Sequence, residues 1–323
     1  MVDVVVVGSG AAGVAAAITA ARNGASVQVM EKTDQLGGAY GCSGGEVWIP
    51  CNDRMVEAGL DDSFEDAVRY VKGLSHDGRF DPALIERFIR KGAKAIRFLE
   101  QNSAYRTEIA AANGDHLPRL ARSKPTGRLL VPAALDARRV LGGTRRWVRD
   151  VPNGKSAVRQ GFSETVRSGG PALVTGLVRG ALDAGVMFRR NCTVSRLMVE
   201  SGEVVGTVLD QGADRFEVLA RRGVILACGG LVDGQHLVAA TSTREGLVWT
   251  HEGLRTDVDG RVKAARGGVI DGLYAVGAVA VDVLGDRHPG PGAALGSYLT
   301  FGYLAGRHAA HSPVRPVDAQ LIV

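Results

Sequence analysis

The chain has 323 residues, enough for one large α/β domain or two modest ones. Its formal charge of +5 does not by itself imply a nucleic-acid partner, and no nucleic-acid motif accompanies it. Hydrophobic residues make up 45% and glycines number 44, which fits a turn-rich α/β protein; with aromatics at only 5%, any flat apolar ligand must be held mostly by aliphatic side chains.

In chain order, Val4 to Val7 reads as a buried strand feeding a turn with glycines at 8, 10 and 13. A helical stretch follows, then a second strand from Ser26 to Met30 that ends on Glu31. Strand, glycine turn, helix, strand and acid in this order form a dinucleotide fingerprint. Gly8 permits the tight turn, Gly10 leaves room for a pyrophosphate, and Gly13 lets the helix approach the strand. The helix N-terminus offers free N–H groups to the phosphates. A carboxylate at Glu31 is placed to accept from the hydroxyls of an adenosine ribose and to disfavour a 2′-phosphate.

Residues 36–52 form a glycine-rich loop whose backbone can approach a flat ligand. Residues 61–102 read as two helices, the first capped by Asp62 or Ser63 and the second opened by Asp81-Pro82. Residues 103–160 read as irregular. Their basic stretch from Arg119 to Arg159 has only Asp136 and Asp150 against its many cations. It is either a solvated face or a surface for an acidic partner or a phosphorylated ligand. A helix over 169–185 leads to strands at 187–190, 194–200, 204–210 and 223–228. A turn at 257–260, a strand at 273–276, a glycine-rich loop at 288–296 and a helix from about 294 to 310 close the chain.

No 18-residue apolar run is present, so no membrane-spanning helix is expected. Entry into a core strand at once leaves no room for a signal peptide. Cys42, Cys51, Cys192 and Cys228 have neither CxxC nor CxxCH spacing, which reads as reduced thiols in a cytoplasmic protein without a metal site or covalent haem.

Several of these pieces together resemble the FAD-binding fumarate reductase and succinate dehydrogenase flavoprotein superfamily, most closely the 3-ketosteroid Δ1-dehydrogenases. The motifs that carry the resemblance are Gly37-Gly38, Ser43-Gly44-Gly45 with Trp48-Ile49-Pro50, Arg222 through Gly230, Gly253 through Val262, Gly272 through Ala278, and Pro289 through Gly296. The resemblance implies an α/β fold: a three-layer, Rossmann-like FAD-binding domain of the glutathione-reductase type with a much reduced cap. In family terms it would comprise residues 1–230 and 253–323, with an insert over about 60–160. The cofactor implied is FAD. Its contacts would come from Gly8, Gly10, Ala11, Ala12, Gly13, Glu31, Lys32, Gly38, Ala39, Ser43, Gly44, Gly45, Val194, Ala227, Gly229, Gly277, Ala278, Ala294 and Leu295. The last two would face the pyrimidine edge of the flavin, which gains negative charge on reduction.

The chain departs from the family pattern in three places. Where relatives carry a catalytic or capping domain, only the linker 231–252 stands here. The family motif Tyr-Pro-Gly-Pro-Gly reads His288-Pro289-Gly290-Pro291-Gly292, and an Asp-Tyr pair reads Asp115-His116. Replacing phenols by imidazoles allows proton exchange near neutral pH. His288, Gly292, His116 and His251 are therefore the catalytic candidates, with Gly292 N–H and His288 polarising a carbonyl. The implied reaction is desaturation next to the carbonyl of an apolar ring ketone, or the reverse enone reduction. The alternatives are a flavin subunit that needs a homo-oligomer or an acidic protein partner to complete its site, FAD binding without turnover, and a flavin-dependent isomerase.

Overall fold

The structure is a computed structural model that describes residues 1–74, 81–110, 114–148, 165–230, 253–281, 283–284 and 289–315, together with the backbone of 249–250. In chain order the elements are β1 (Val2–Val7), α1 (Ala11–Arg22), β2 (Val27–Met30), β3 (Val47–Trp48), α2 (Asp53–Glu57), α3 (Phe64–Leu74), α4 (Pro82–Gln101), β4 (Thr107–Ile109), β5 (Leu129–Pro132), β6 (Leu135–Asp136), α5 (Ala137–Leu141), β7 (Val166–Arg167), α6 (Gly169–Asp183), β8 (Met187–Arg189), β9 (Thr193–Glu200), β10 (Glu203–Gln211), β11 (Asp214–Leu226), β12 (Trp249–Thr250), β13 (Gly253–Leu254), β14 (Arg261–Lys263), β15 (Val269–Ala275) and α7 (Ala293–His311).

The main sheet runs β14-β15-β11-β1-β2-β8, parallel from β15 to β8, with β14 antiparallel at the edge. The strands β9, β10 and β11 form an antiparallel meander that shares β11 with it. The unbroken valine run of β1 is explained by its central position. Val4 and Val6 point to the helical layer, while Val2, Val5 and Val7 point to the meander, so both faces are buried. Helices, parallel sheet and meander make the three layers of an α/β fold.

Helix starts obey their predicted caps. Ser63 Oγ accepts from Asp66 N at 3.1 Å, and the Asp81 carboxylate accepts from Ala83 N at 3.0 Å ahead of Pro82. Two expectations are revised. The strand expected at 223–228 begins at Asp214, because its first half pairs with β10 before the second half enters the parallel sheet. Exposed Arg215 and Glu217 hide that continuity in the sequence. The segment 103–160, expected to be irregular, contains β4, β5, β6 and α5. These pieces are too short for periodicity to show, and β5 is ordered by β3, far upstream. Residues 149–160 of this segment and most of the linker 231–252 lie outside the described residues.

The two ends of the chain meet where α7 packs on α1. A Cβ at Gly302 would stand 2.5 Å from the Ala12 carbonyl oxygen, and one at Gly306 would stand 2.2 Å from that of Ala16. The helices therefore touch backbone to backbone along an alanine face. Substituting Gly306→Val should cost roughly 1–3 kcal/mol or more through overpacking. It should also lower the content of the expected FAD, because the expected cofactor contacts at the start of α1 and at the start of α7 both depend on this packing. Gly143→Ala, where an added Cβ meets nothing, is the control and should stay within about 0.5 kcal/mol. Thermal unfolding and the flavin-to-protein absorbance ratio measure both effects.

Candidate functional site

The nucleotide end of the site is built by the turn between β1 and α1. Gly8 adopts φ +103°, and a Cβ there would meet the Ala227 carbonyl oxygen at 2.4 Å. A Cβ at Gly13 would lie 2.1 Å from Gly8 O, whereas one at Gly10 would meet no protein atom within 4 Å. Gly8 and Gly13 thus serve chain packing, and Gly10 borders open space. The start of α1 is buried and has no side-chain cap, and the N–H groups of Ala12 and Gly13 have no partner among the described residues. Buried uncapped donors at a helix N-terminus suit an anion. A pyrophosphate fits both the donors and the space.

Glu31 is 6% exposed. One carboxylate oxygen accepts from Ser9 N at 3.2 Å and Ser9 Oγ at 2.6 Å. The other accepts from Thr33 N at 2.9 Å and Thr33 Oγ1 at 3.0 Å. These four bonds fill the carboxylate's ordinary capacity, so a ribose hydroxyl would share or replace one of them. Ser9, which sequence reasoning passed over, also receives the Gly37 N–H and ties the fingerprint to the glycine loop. Its position inside the glycine turn was the available signal.

The other predicted contacts lie around this turn. Gly38 is adjacent to Gly10, Ala227 to Gly13, and Gly277 to Ala12. Gly229, Ala278, Ala39 and Lys32 reach the surface nearby; Lys32 lies within electrostatic range of Cys228, beside Gly229. Val194 lies further out, two residues past Cys192, whose N–H donates to Glu31 O.

At the other end, a cleft of about 280 Å³ is bounded by Tyr40, residues 43–46, His116 and residues 290–295. Gly292 adopts φ +72° as the N-cap of α7, against Glu46, where a Cβ would stand 2.1 Å from the Glu46 carbonyl oxygen. The N–H groups of Gly292, Ala294 and Leu295 have no partner among the described residues. They are donors suited to an electron-rich edge or a carbonyl oxygen. Ser43 O accepts from Gly170 N at 2.9 Å, so the loop of Gly44 and Gly45 is anchored on α6. Close approach of this loop thus serves packing against protein backbone as well as any ligand.

His116 reaches the cleft because its own N–H donates to Pro289 O at 2.9 Å. The Tyr70 hydroxyl donates to the same oxygen at 2.8 Å. Its neighbour Asp115 is buried and accepts from Trp48 Nε1 at 2.7 Å, Lys124 N at 2.8 Å and Arg128 Nη1 at 2.8 Å. Arg128, 1% exposed, also pairs with Asp62 at 2.6 Å. Burial pushes the Asp115 carboxyl up from its ordinary value, against the opposing pull of Arg128, Trp48 and the Lys124 N–H. The structure therefore brings His116 and Gly292 to one cleft. His288 and His251 lie outside the described residues. Glu46 lines the same cleft and was not singled out in the sequence, where it reads as one more member of a glycine loop.

The model of the FAD binding domain family matches residues 3–245 and 240–295 of this chain. The chain belongs to that family. Its cofactor is FAD, and the unpartnered donors at both ends of the site fit it. A 3-oxosteroid 1-dehydrogenase of Mycolicibacterium smegmatis is 31% identical over 273 residues, covering 73% of this chain and 48% of that protein. A 4-oxocyclohexanecarboxylate 2-dehydrogenase of Sinomonas cyclohexanicum is 30% identical over 251 residues, covering 71% and 43%. The chain thus spans about half the length of the curated relatives it matches. Among solved structures, a 3-ketosteroid Δ1-dehydrogenase of Sterolibacterium denitrificans in complex with 1,4-androstadiene-3,17-dione superposes with a TM-score of 0.82 at 18% identity, covering 96% of this chain and 99% of that one. That likeness concerns the fold. Among the described residues no helix is long and apolar enough to cross a membrane.

The two fingerprint glycines separate binding from folding. Gly10→Val should leave the melting temperature of FAD-free protein nearly unchanged while weakening FAD binding at least tenfold. Gly13→Val should lower the melting temperature itself, since its side chain has no room beside Gly8. Thermal melts of the stripped variants and titration with FAD distinguish the two.

Proposed function

We propose that this chain is an FAD-dependent oxidoreductase that acts on a carbon–carbon bond next to the carbonyl of an apolar ring ketone. The observation that carries this reading is the cleft in which the free N–H groups of Gly292, Ala294 and Leu295 meet the imidazole of His116 on an FAD-binding frame. The two dehydrogenase relatives support it: the names of both specify an oxo group on a ring, although the rings differ greatly in size.

A carbonyl oxygen at the mouth of α7 accepts from Gly292 N–H and is polarised further by His116, with His288 as the second imidazole of the motif. Polarisation acidifies the α C–H. Bound FAD supplies the two-electron chemistry, taking hydride in desaturation and returning it in enone reduction. The protein's share is to bind the ketone, align it, exclude water and move one proton. Localisation in the cytoplasm remains part of this proposal, as does the linker 231–252 standing in place of the family's cap.

A second reading is that another copy of the chain, or an acidic partner, closes the cleft. It is supported by the exposed run from His116 to Arg119 beside the cleft. Gel filtration of active protein checks it, and a fully active monomer overturns it.

Purified protein should carry flavin absorbance near one FAD per chain, and an anaerobic ring ketone or its enone should change the flavin's redox state. His116→Ala and His288→Ala should each lower turnover by roughly 10²-fold, the scale of lost general acid–base help. If both variants turn over the identified substrate at the wild-type rate, these assignments are wrong.

A further inference from the structure

We infer that Glu46 is the catalytic base that removes the α proton of the ketone; this rests on the reading above, which leaves the base unassigned. Glu46 lines the cleft together with His116 and Gly292. It is partly buried, and among the described residues its carboxylate forms no hydrogen bond or ion pair. The Glu46 main chain lies against Gly292, and its Oε2 is 2.9 Å from where a Cβ on Gly44 would lie. The carboxylate is therefore folded over the glycine loop, on the wall of the cleft that also carries the Gly292 N–H.

The chemistry of the groups divides their roles. An ionised carboxylate only accepts, while backbone N–H groups only donate and a neutral imidazole does one with each nitrogen. Gly292 N–H and His116 are suited to the carbonyl oxygen, and Glu46 to the acidified C–H. In the step assigned to it, the α C–H bond breaks and the proton passes to a Glu46 carboxylate oxygen. The bonding pair becomes the C=C of an enolate, whose negative oxygen is held by Gly292 N–H. Reversal returns a proton to carbon, so the step balances without any change of oxidation state.

This proton step can be read apart from redox turnover. Holoenzyme with its flavin held reduced by dithionite is incubated in D2O with a saturated 3-oxosteroid or with 4-oxocyclohexanecarboxylate. Deuterium entering the α position is followed by mass spectrometry. Wild-type protein should exchange the α position. Glu46→Gln should lose about a hundredfold of that rate, with FAD content and melting temperature unchanged. Glu46→Ala should recover part of it when formate is added, which a purely structural role would not show. Exchange by Glu46→Gln within threefold of wild type overturns the assignment. The flavin assay with oxidised protein separates the two failures. If ring ketones change the wild-type flavin but Glu46→Gln behaves identically, only the base assignment falls. If no ring ketone or enone affects the wild-type flavin and none exchanges, the functional reading falls, and the base assignment with it.

Discussion

Everything at the site depends on the backbone contact between α1 and α7. The first helix begins at the fingerprint turn and the last begins at the Pro-Gly-Pro-Gly turn. Each presents N–H groups at its start that have no partner among the described residues. Because Gly302 and Gly306 let α7 lie directly on Ala12 and Ala16, the fingerprint turn and the cleft at the start of α7 are carried by one pair of packed helices. A larger residue at either glycine would separate the helices and so change the span between the two sets of donors. The same contact ties the C-terminal segment to β1 and hence to the middle of the parallel sheet.

A second constraint fixes the chemical end of the site. Arg128 is buried between Asp62 and Asp115, and Asp115 also holds Trp48 and the Lys124 N–H. Removing one member of such a buried set leaves uncompensated charge and typically costs about 3–5 kcal/mol. The set orders the segment that carries His116 and pins Trp48 beneath Gly290 and Gly296. His116 itself is exposed, so its placement comes from the main chain through Pro289 and not from its own side-chain contacts. Glu46 and Gly292 lie side by side on one wall of the cleft, which places a carboxylate next to backbone N–H groups.

Legibility in the sequence followed the range of the interactions. The βαβ opening, the helix caps at Ser63 and Asp81 and the apolar runs of the parallel strands are local patterns, and they could be read directly. The start of β11 could not, because exposed charges interrupt its hydrophobic pattern and its partner changes midway. The short strands β4 and β5 could not, because a three- or four-residue piece carries no periodicity of its own. Among site residues, glycines in turns announced themselves, while Ser9 and Glu46, lying among those glycines, did not.

The sequence by itself marked a dinucleotide fingerprint at Gly8, Gly10 and Gly13. Its later glycine motifs, through their resemblance to a flavoprotein family, determined that the dinucleotide is FAD. Both follow from local backbone requirements, since only particular residues permit such turns and uncapped helix starts. Only the tertiary structure decided which residues share the cleft. His116, Glu46 and Gly292 are separated by long stretches of chain, and no periodicity relates them. They meet because Pro289 O accepts the His116 N–H and because Gly292 has no side chain to hold Glu46 away. It also decided that Glu31, expected to face a ribose, is already bound to Ser9 and Thr33, because burial requires a carboxylate to satisfy its acceptors within the fold.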